Sequence, residues 1–211
     1  MQVLEELARK VIEGNADQTK VVLQNALDEG HDAEQILTDG FIYAMDVVGT
    51  KFKNNEIFIP EMLIAARAMK AGMEILKPIL VHNEVKTSGT IVIGTVKGDL
   101  HDIGKNLVGM MIEGAGYEVI DLGVDVKTEK FVETIYDKKP EALCLSSLLT
   151  TTMAGMKEVI VSLSDAGIRD TVKILVGGAP VTQEFANEIG ADGYARDAGS
   201  GVEAVKLAIR S

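Results

Sequence analysis

The sequence predicts an α + α/β protein: an N-terminal four-helix bundle followed by a five-stranded parallel α/β domain. Three observations lead there. Residues 1 to about 84 carry apolar residues at helical spacing and no strand pattern. Beyond residue 89, short β-branched runs alternate with amphipathic helical stretches, as in a parallel sheet built from right-handed crossovers. Between the two patterns lies a polar segment, Glu84-Val85-Lys86-Thr87-Ser88-Gly89. The expected division is therefore a helical domain over 1–84, a linker over 85–89 and an α/β domain over 90–211.

In the first part, Val3, Leu4, Leu7 and Val11 share one helical face, and Gly14 is a stop. Asp17 is a candidate cap for a second helix carrying Val21, Val22, Ala26 and Leu27, which ends at Gly30. Asp32 with Gln35 resembles a capping box, ahead of Ile36, Leu37, Phe41, Ala44, Met45, Val48 and Phe52. Pro60 suits the first turn of a fourth helix, and Glu61 suits its positive end. The stripe of that helix is Met62, Ala66, Met69, Met73, Leu76 and Leu80, with Pro78 expected to kink or end it. Four helices on short connections favour an antiparallel bundle.

In the second part, strands are expected at Thr90–Val96, Tyr117–Leu122, Ala142–Ser147, Val172–Val176 and Gly193–Ala195. Helices are expected up to Ala115, near Lys127–Lys138, near Met153–Ala166, near Gln183–Ile189 and over Gly201–Ile209. At this size the usual solution is a flavodoxin-like (Rossmann-like) sheet with strand order 2-1-3-4-5.

Composition narrows the classes of function. Of 211 residues, 46% are hydrophobic and 25% charged, which supports a sizeable core and argues against disorder. The net charge of −11 argues against nucleic acid or an anionic membrane as partner. Cys144 is the single cysteine, so no intrachain disulfide forms; within Ala142-Leu143-Cys144-Leu145 it reads as a small buried hydrophobe. The start, Met1-Gln2-Val3-Leu4-Glu5-Glu6, lacks the basic and apolar regions of a signal peptide. No apolar run approaches the roughly 20 residues of a membrane helix. The expected location is the cytoplasm.

The stretch with chemistry is Gly98-Asp99-Leu100-His101-Asp102-Ile103-Gly104, on the turn from the first strand to its helix. Ligands of open α/β sheets bind at such turns. Asp99 is placed to accept one N–H of His101, the usual support for a metal-ligating imidazole. A lone D-x-H is more often an incidental pair. His31 and His82 lie in the helical part and no cysteine pair exists, so a zinc or iron site of protein ligands alone is poorly supported. A metal held by His101 would arrive inside a cofactor. Gly104 and Gly177-Gly178 allow a bulky group close to the backbone. Ser146-Ser147-Leu148-Leu149-Thr150-Thr151-Thr152 sets a row of hydroxyls after the third strand, one of them expected to cap the next helix and the rest in excess of capping.

Together these residues read D-x-H-x-x-G (Asp99, His101, Gly104), S-x-L (Ser146, Leu148) and G-G (Gly177, Gly178). The gaps are 41 residues (105–145) and 28 residues (149–176). In residues and spacing this resembles the cobalamin-binding signature of corrinoid-dependent methyltransferases and mutases. Phe58-Ile59-Pro60-Glu61-Met62-Leu63 with Ala65-Ala66-Arg67-Ala68-Met69-Lys70 resembles the cap helix of the methyltransferase branch. Over essentially its whole length the chain is similar to the small corrinoid methyl-carrier proteins of anaerobic methyltransferase systems. Those serve methylamines, methanol, methyl sulfides or aryl methyl ethers (O-demethylases). The chain is also similar to the cobalamin-binding module of methionine synthase.

The resemblance implies a cobalamin or related corrinoid as cofactor, bound with its own lower base off cobalt and His101 as the lower axial cobalt ligand. It implies that Asp99 accepts the His101 N–H and that Thr152, where better-known members have serine, continues a proton relay. Asp102, Ile103, Gly104, Ser146, Leu148, Thr150, Gly177 and Gly178 would line the groove for the nucleotide tail. The helical cap would cover the upper face, with Phe58 and Met62 near the methyl group, although Met62 reads equally as bundle core. The cobalt would cycle between Co(I) and methyl-Co(III), with the 84–89 linker as hinge. The implied partners are a substrate-specific methyltransferase, an acceptor methyltransferase passing the methyl to a pterin or thiol, and an ATP-dependent reductive activase for Co(II). On its own the chain would be no enzyme. A mutase subunit is disfavoured by the helical cap, and a cobalamin-sensing regulator by the lack of room for a DNA-binding module. A phosphorelay receiver is disfavoured because Leu145-Ser146 stands where the acceptor aspartate belongs.

Overall fold

A computed structural model describes residues 2–83, residue 85 and residues 88–210. The expected hinge residues Glu84, Lys86 and Thr87 lie outside the described residues. The chain divides into two compact units: residues 1–88 with 113–116, and residues 89–112 with 117–211.

The first unit contains α1 (Gln2–Ile12), α2 (Ala16–Asp28), α3 (Ala33–Gln35), a π-helix (Ile36–Ile42), α4 (Tyr43–Lys53) and α5 (Ile59–His82). Helical dihedrals at Gln35, Ile36, Ile42 and Tyr43 make α3, the π-helix and α4 one continuous rod, so residues 2–83 form four rods. Gly40 lies in the π segment, and a Cβ there would stand 2.7 Å from Leu7 Cδ2 of α1. The bundle core takes Leu4, Leu7 and Val11 of α1, Val22 and Leu23 of α2, Phe41 and Val48 of the rod, and Met62, Met69 and Leu76 of α5.

Several local expectations are corrected. Asn15, not Asp17, caps α2, accepting the Gln18 N–H at 3.1 Å; Asp17 sits in the first turn, where its charge still meets the positive helix end. Val21 is 52% exposed, and Thr19 and Leu23 take the buried face instead. Asp32 accepts from Glu34 and Gln35 N–H, but the Gln35 side chain meets His31 Nδ1 at 3.3 Å, so only half of a capping box forms. Pro78 does not end α5, which runs on to His82. Pro78 and Glu74 are both exposed, so the Glu74 carbonyl that the proline leaves without an N–H partner is open to water. Pro60 and Glu61 stand as expected: Glu61 Oε2 accepts the Phe58 N–H at 3.0 Å.

The second unit holds β1 (Thr90–Thr95), α6 (Ile103–Gly114), β2 (Glu118–Asp121), α7 (Thr128–Lys138), β3 (Ala142–Ser146) and α8 (Ala154–Asp165). A short 3-10 turn (Arg169–Thr171), β4 (Lys173–Gly177), α9 (Gln183–Ile189), β5 (Gly193–Ala195) and α10 (Ala198–Arg210) complete it. The strands are all parallel in the order β2-β1-β3-β4-β5, as the alternating pattern predicts. Helix α10 starts at Ala198 rather than Gly201, because Asp197 accepts the Ser200 N–H at 2.8 Å and its own N–H donates to Ser200 Oγ. One face of the sheet packs Val92, Leu143, Leu145 and Ile174 against Phe131 and Ile135 of α7, Met156, Val159 and Leu163 of α8, and Ile189 of α9. Burial of these side chains contributes on the order of 1.5–3 kcal/mol each.

Pairing sets the site. Thr95 of β1 is level with Ser146 of β3, Ser146 with Gly177 of β4, and Gly177 with Ala195 of β5. The C-terminal ends of four strands thus stand in one row, and the segments leaving them start side by side.

In the bundle, a Cβ added at Gly72 of α5 would overlap the Phe41 ring, with Cε1 at 2.7 Å. Gly72→Ala should therefore be destabilising. Overpacking costs about 1–3 kcal/mol and outweighs the helix-propensity gain of about 1 kcal/mol. A lower urea midpoint at unchanged m-value checks this.

Candidate functional site

The loop from β1 to α6 is fastened at several backbone points. Gly98, at φ 82, donates its N–H to Asp125 Oδ1 at 2.7 Å. Asp125, itself at φ 51, returns its own N–H to the Asp99 carbonyl at 2.9 Å. Thr95, fully buried, donates its hydroxyl to the His101 carbonyl at 2.9 Å. These bonds hold the residues on either side of Leu100 and leave Leu100 72% exposed.

Asp99 is fully buried, and both its oxygens are engaged. Oδ1 accepts the His101 N–H at 3.1 Å and meets His101 Nδ1 at 2.7 Å. Oδ2 accepts the Leu148 N–H at 2.7 Å, the Leu149 N–H at 3.2 Å and the Thr152 hydroxyl at 2.8 Å. Burial alone opposes ionisation. The hydrogen bonds from Leu148, from His101 (ring and N–H) and from Thr152 outweigh it and hold the carboxyl well below the usual carboxylate range. An ionised Asp99 accepts only, so Nδ1 of His101 carries a proton, and in the neutral imidazole the lone pair is then on Nε2. The His101 side chain is half exposed.

Ser147 was not among the expected residues. It is fully buried and lies 2.8 Å from Thr152 Oγ1 and 3.5 Å from Asp99 Oδ2. One hydroxyl has one proton to give. If Thr152 donates to Asp99, Ser147 donates to Thr152, and a chain Ser147–Thr152–Asp99–His101 results. The hydroxyl row therefore does not cap α8, whose N-cap is Met153 with no side-chain bond. It supplies donors to one buried carboxylate.

In front of this network is a cavity of about 520 Å³. Its walls include His101, Asp102, Ile103 and Gly104 from the β1–α6 side, Ser146 and Leu148 from β3, and Gly177 and Gly178 from β4. Ile93, Leu175 and Val176 form buried apolar lining. Asp99 and Thr152 stand behind the wall, and Thr150 is exposed and outside the lining. Phe58 and Met62 belong to the helical unit, Phe58 exposed at 64% and Met62 fully buried. A larger groove of about 730 Å³ between α7 and α8 has an acidic rim (Glu129, Glu133, Asp137, Glu158) and contains none of the motif residues.

The glycines divide by role. A Cβ at Gly104 would meet nothing within 4 Å, so the missing side chain leaves room in the cavity. Gly177 and Gly178 are fixed by protein backbone instead. A Cβ at Gly178, at φ 131, would overlap the Ser147 carbonyl oxygen, and one at Gly177 would stand 2.9 Å from the Ala195 oxygen. The paired glycines bring β4 up against the β3 turn, where the donors to Asp99 originate.

Cys144 lines the cavity but is buried, and burial pushes its thiol up to about 12, so it stays a neutral small hydrophobe. Lys105, a second residue the sequence reading passed over, is 3% exposed and bonds Asp121 Oδ2 at 2.5 Å and Asn106 Oδ1 at 2.7 Å. It ties the start of α6 to the end of β2. A lone lysine opening an otherwise apolar helix was the available signal.

The donor set fits a metal that brings its other ligands with it. No group of three or more His, Cys, Asp or Glu able to hold a metal occurs among the described residues, and His101 offers one supported imidazole. Exposed Leu100, Ile103 and Leu148, at 72%, 73% and 41%, add apolar surface to the same cavity lining. A single imidazole on an apolar shelf above a groove matches a flat macrocyclic metal complex with a tail.

The fold and site thus define a corrinoid-binding protein of the parallel α/β class. The sequence matches the B12 binding domain over residues 89–203, and a second B12 binding domain over residues 3–77. The chain belongs to the B12-binding family and, within it, to the small corrinoid proteins; its cofactor is cobalamin or a related corrinoid. It is 44% identical to a corrinoid protein of Desulfitobacterium hafniense, over 96% of this chain and 95% of that one. It is 39% identical to trimethylamine corrinoid protein 2 of Methanosarcina mazei, over 99% and 97%. The methanol:cobalamin methyltransferase complex of Methanosarcina barkeri superposes with a TM-score of 0.88 at 32% identity, covering 100% of this chain and 80% of that one. No helix among the described residues is long and apolar enough to cross a membrane.

Asp99→Asn should lower the stability of the apoprotein near neutral pH by about 1–3 kcal/mol, because an amide turns N–H donors toward donors. The depressed Asp99 value means that its contribution is complete above the unfolded carboxylate pKa of about 4 and is lost as pH falls through the folded value. The difference in urea midpoint between wild type and variant should shrink as the pH is lowered below about 4.

Proposed function

We propose that this chain carries a methyl group on the cobalt of its corrinoid between two methyltransferases, one that loads it and one that passes it to a pterin or thiol acceptor. When bound, the corrinoid supplies a cobalt centre able to accept a methyl group and release it. The observation that carries the reading is the 2.7 Å bond between buried Asp99 and half-exposed His101, at the wall of a cavity of about 520 Å³.

In this reading His101 would hold the cobalt through Nε2, and the groove would hold the cofactor's own base. Asp99 fixes the tautomer and the orientation of the imidazole. Its negative charge would complement the ring N–H that His101 donates to it. Thr152, with Ser147 behind it, donates to Asp99 and is the route by which a proton reaches the pair. Gly104 leaves space for the tail, and the Ile93, Leu175 and Val176 surface excludes water from it.

Residues 1–84 would govern access to the methyl group, with Phe58 and Met62 as candidates nearest to it. The methyltransferase partners, a reductive activase and a cytoplasmic setting complete the proposal. Relatives whose names carry trimethylamine and dimethylamine, at 39–44% identity, support the methyl-carrier reading over that of a mutase subunit or a regulator.

Apoprotein mixed with cobalamin should take it up in about equimolar amount and alter its visible spectrum as the lower base is displaced. A colourless protein after gel filtration would contradict the reading. His101→Ala should retain corrinoid through the groove but keep a spectrum without histidine ligation; a spectrum identical to wild type would count against His101.

A further inference from the structure

The lining of the cavity contains two permanent cations, Lys105 and Arg196. Lys105 is already committed, buried in its bonds to Asp121 and Asn106. The two lining carboxylates have partners as well. Asp102 accepts the Asn106 amide at 3.1 Å, and Asp197 accepts the Ser200 N–H and hydroxyl at 2.8 and 2.9 Å. Arg196 is different. It follows β5 directly, it is exposed, and no hydrogen bond or ion pair engages its guanidinium among the described residues.

The lining is graded from apolar to charged. Ile93, Leu175 and Val176 are buried at 2–3% exposure, whereas Arg196 lies at the exposed rim. Below the rim, α6 and α10 close on each other: a Cβ at Gly201 would stand 3.3 Å from Val108 Cγ1. A corrinoid nucleotide tail ends in a neutral base and is joined to the ring through one phosphodiester, the tail's only anionic group. The buried apolar surface accepts the base but penalises an unpaired phosphate. The phosphate must therefore remain at the rim, where the uncommitted cation is.

We propose that Arg196 forms a phosphodiester subsite, binding the phosphate of the nucleotide tail through its guanidinium fork. Guanidinium and phosphate match in charge and geometry. The inference rests on the corrinoid reading above. It adds a specificity element: the site distinguishes a complete corrinoid from one that lacks the nucleotide loop.

Titration of the apoprotein with cobalamin and with cobinamide, which lacks the phosphate and base, tests this. Arg196→Gln should weaken cobalamin binding about fivefold, and Arg196→Glu further, with cobinamide affinity unchanged. Cobinamide binding also reports that the variants are folded. Added salt should weaken cobalamin binding to wild type more than to Arg196→Gln. Equal cobalamin affinity of wild type and Arg196→Glu would overturn the subsite, as would equal losses for both ligands. Failure of the wild type to bind either ligand would instead overturn the corrinoid reading, and the subsite with it.

Discussion

Everything at the site depends on one buried carboxylate. Asp99 is cut off from solvent, yet ionised, because two segments supply donors to it: its own loop through His101, and the turn after β3 through Leu148, Leu149 and Thr152. A buried charge is tolerated only when it is saturated in this way. The same bonds that keep Asp99 charged fix the His101 tautomer. They also cross-link the ends of β1 and β3, so the groove wall and the imidazole are positioned together. Removing one donor would loosen both.

The parallel sheet makes this convergence possible. Thr95, Ser146, Gly177 and Ala195 stand in one row, so three short motifs separated by 41 and 28 residues leave the sheet at the same level. Gly178 then lets β4 approach the Ser147 carbonyl, a contact that any side chain would block. Asp125 and the Lys105–Asp121 pair brace the loop from the β2 side. His101 is thereby held at the backbone while its ring stays half exposed in the cavity wall.

Much of this was legible in the sequence. The change of period near residue 89 marks the two architectures, and the strand order follows from five alternating units. Asp99, His101 and Thr152 are placed by their motif positions, and the structure brings His101 and Thr152 each within hydrogen-bond distance of Asp99. What escaped depends on distance across the fold. Ser147 reads as strand-end polarity until the Asp99 carboxylate, 48 residues earlier, is seen beside it. Lys105 reads as a surface charge until Asp121 is known to face it. The choice of Asn15 over Asp17 as cap, and the passage of α5 through Pro78, are decided by small local energies that pattern alone does not rank. The glycine pair is placed by its motif position, and both glycines line the cavity; what the sequence does not show is that backbone of the same domain also forbids side chains there.

The central claim is that His101 takes the place of the corrinoid's own base at cobalt. Its most direct test is the electron paramagnetic resonance spectrum of the Co(II) protein prepared with 15N-labelled histidine and unlabelled cobalamin. Coordination by His101 predicts superhyperfine doublets from a 15N nucleus. Triplets from 14N would mean that the cofactor's base had stayed on the metal, and the account of this site would be wrong.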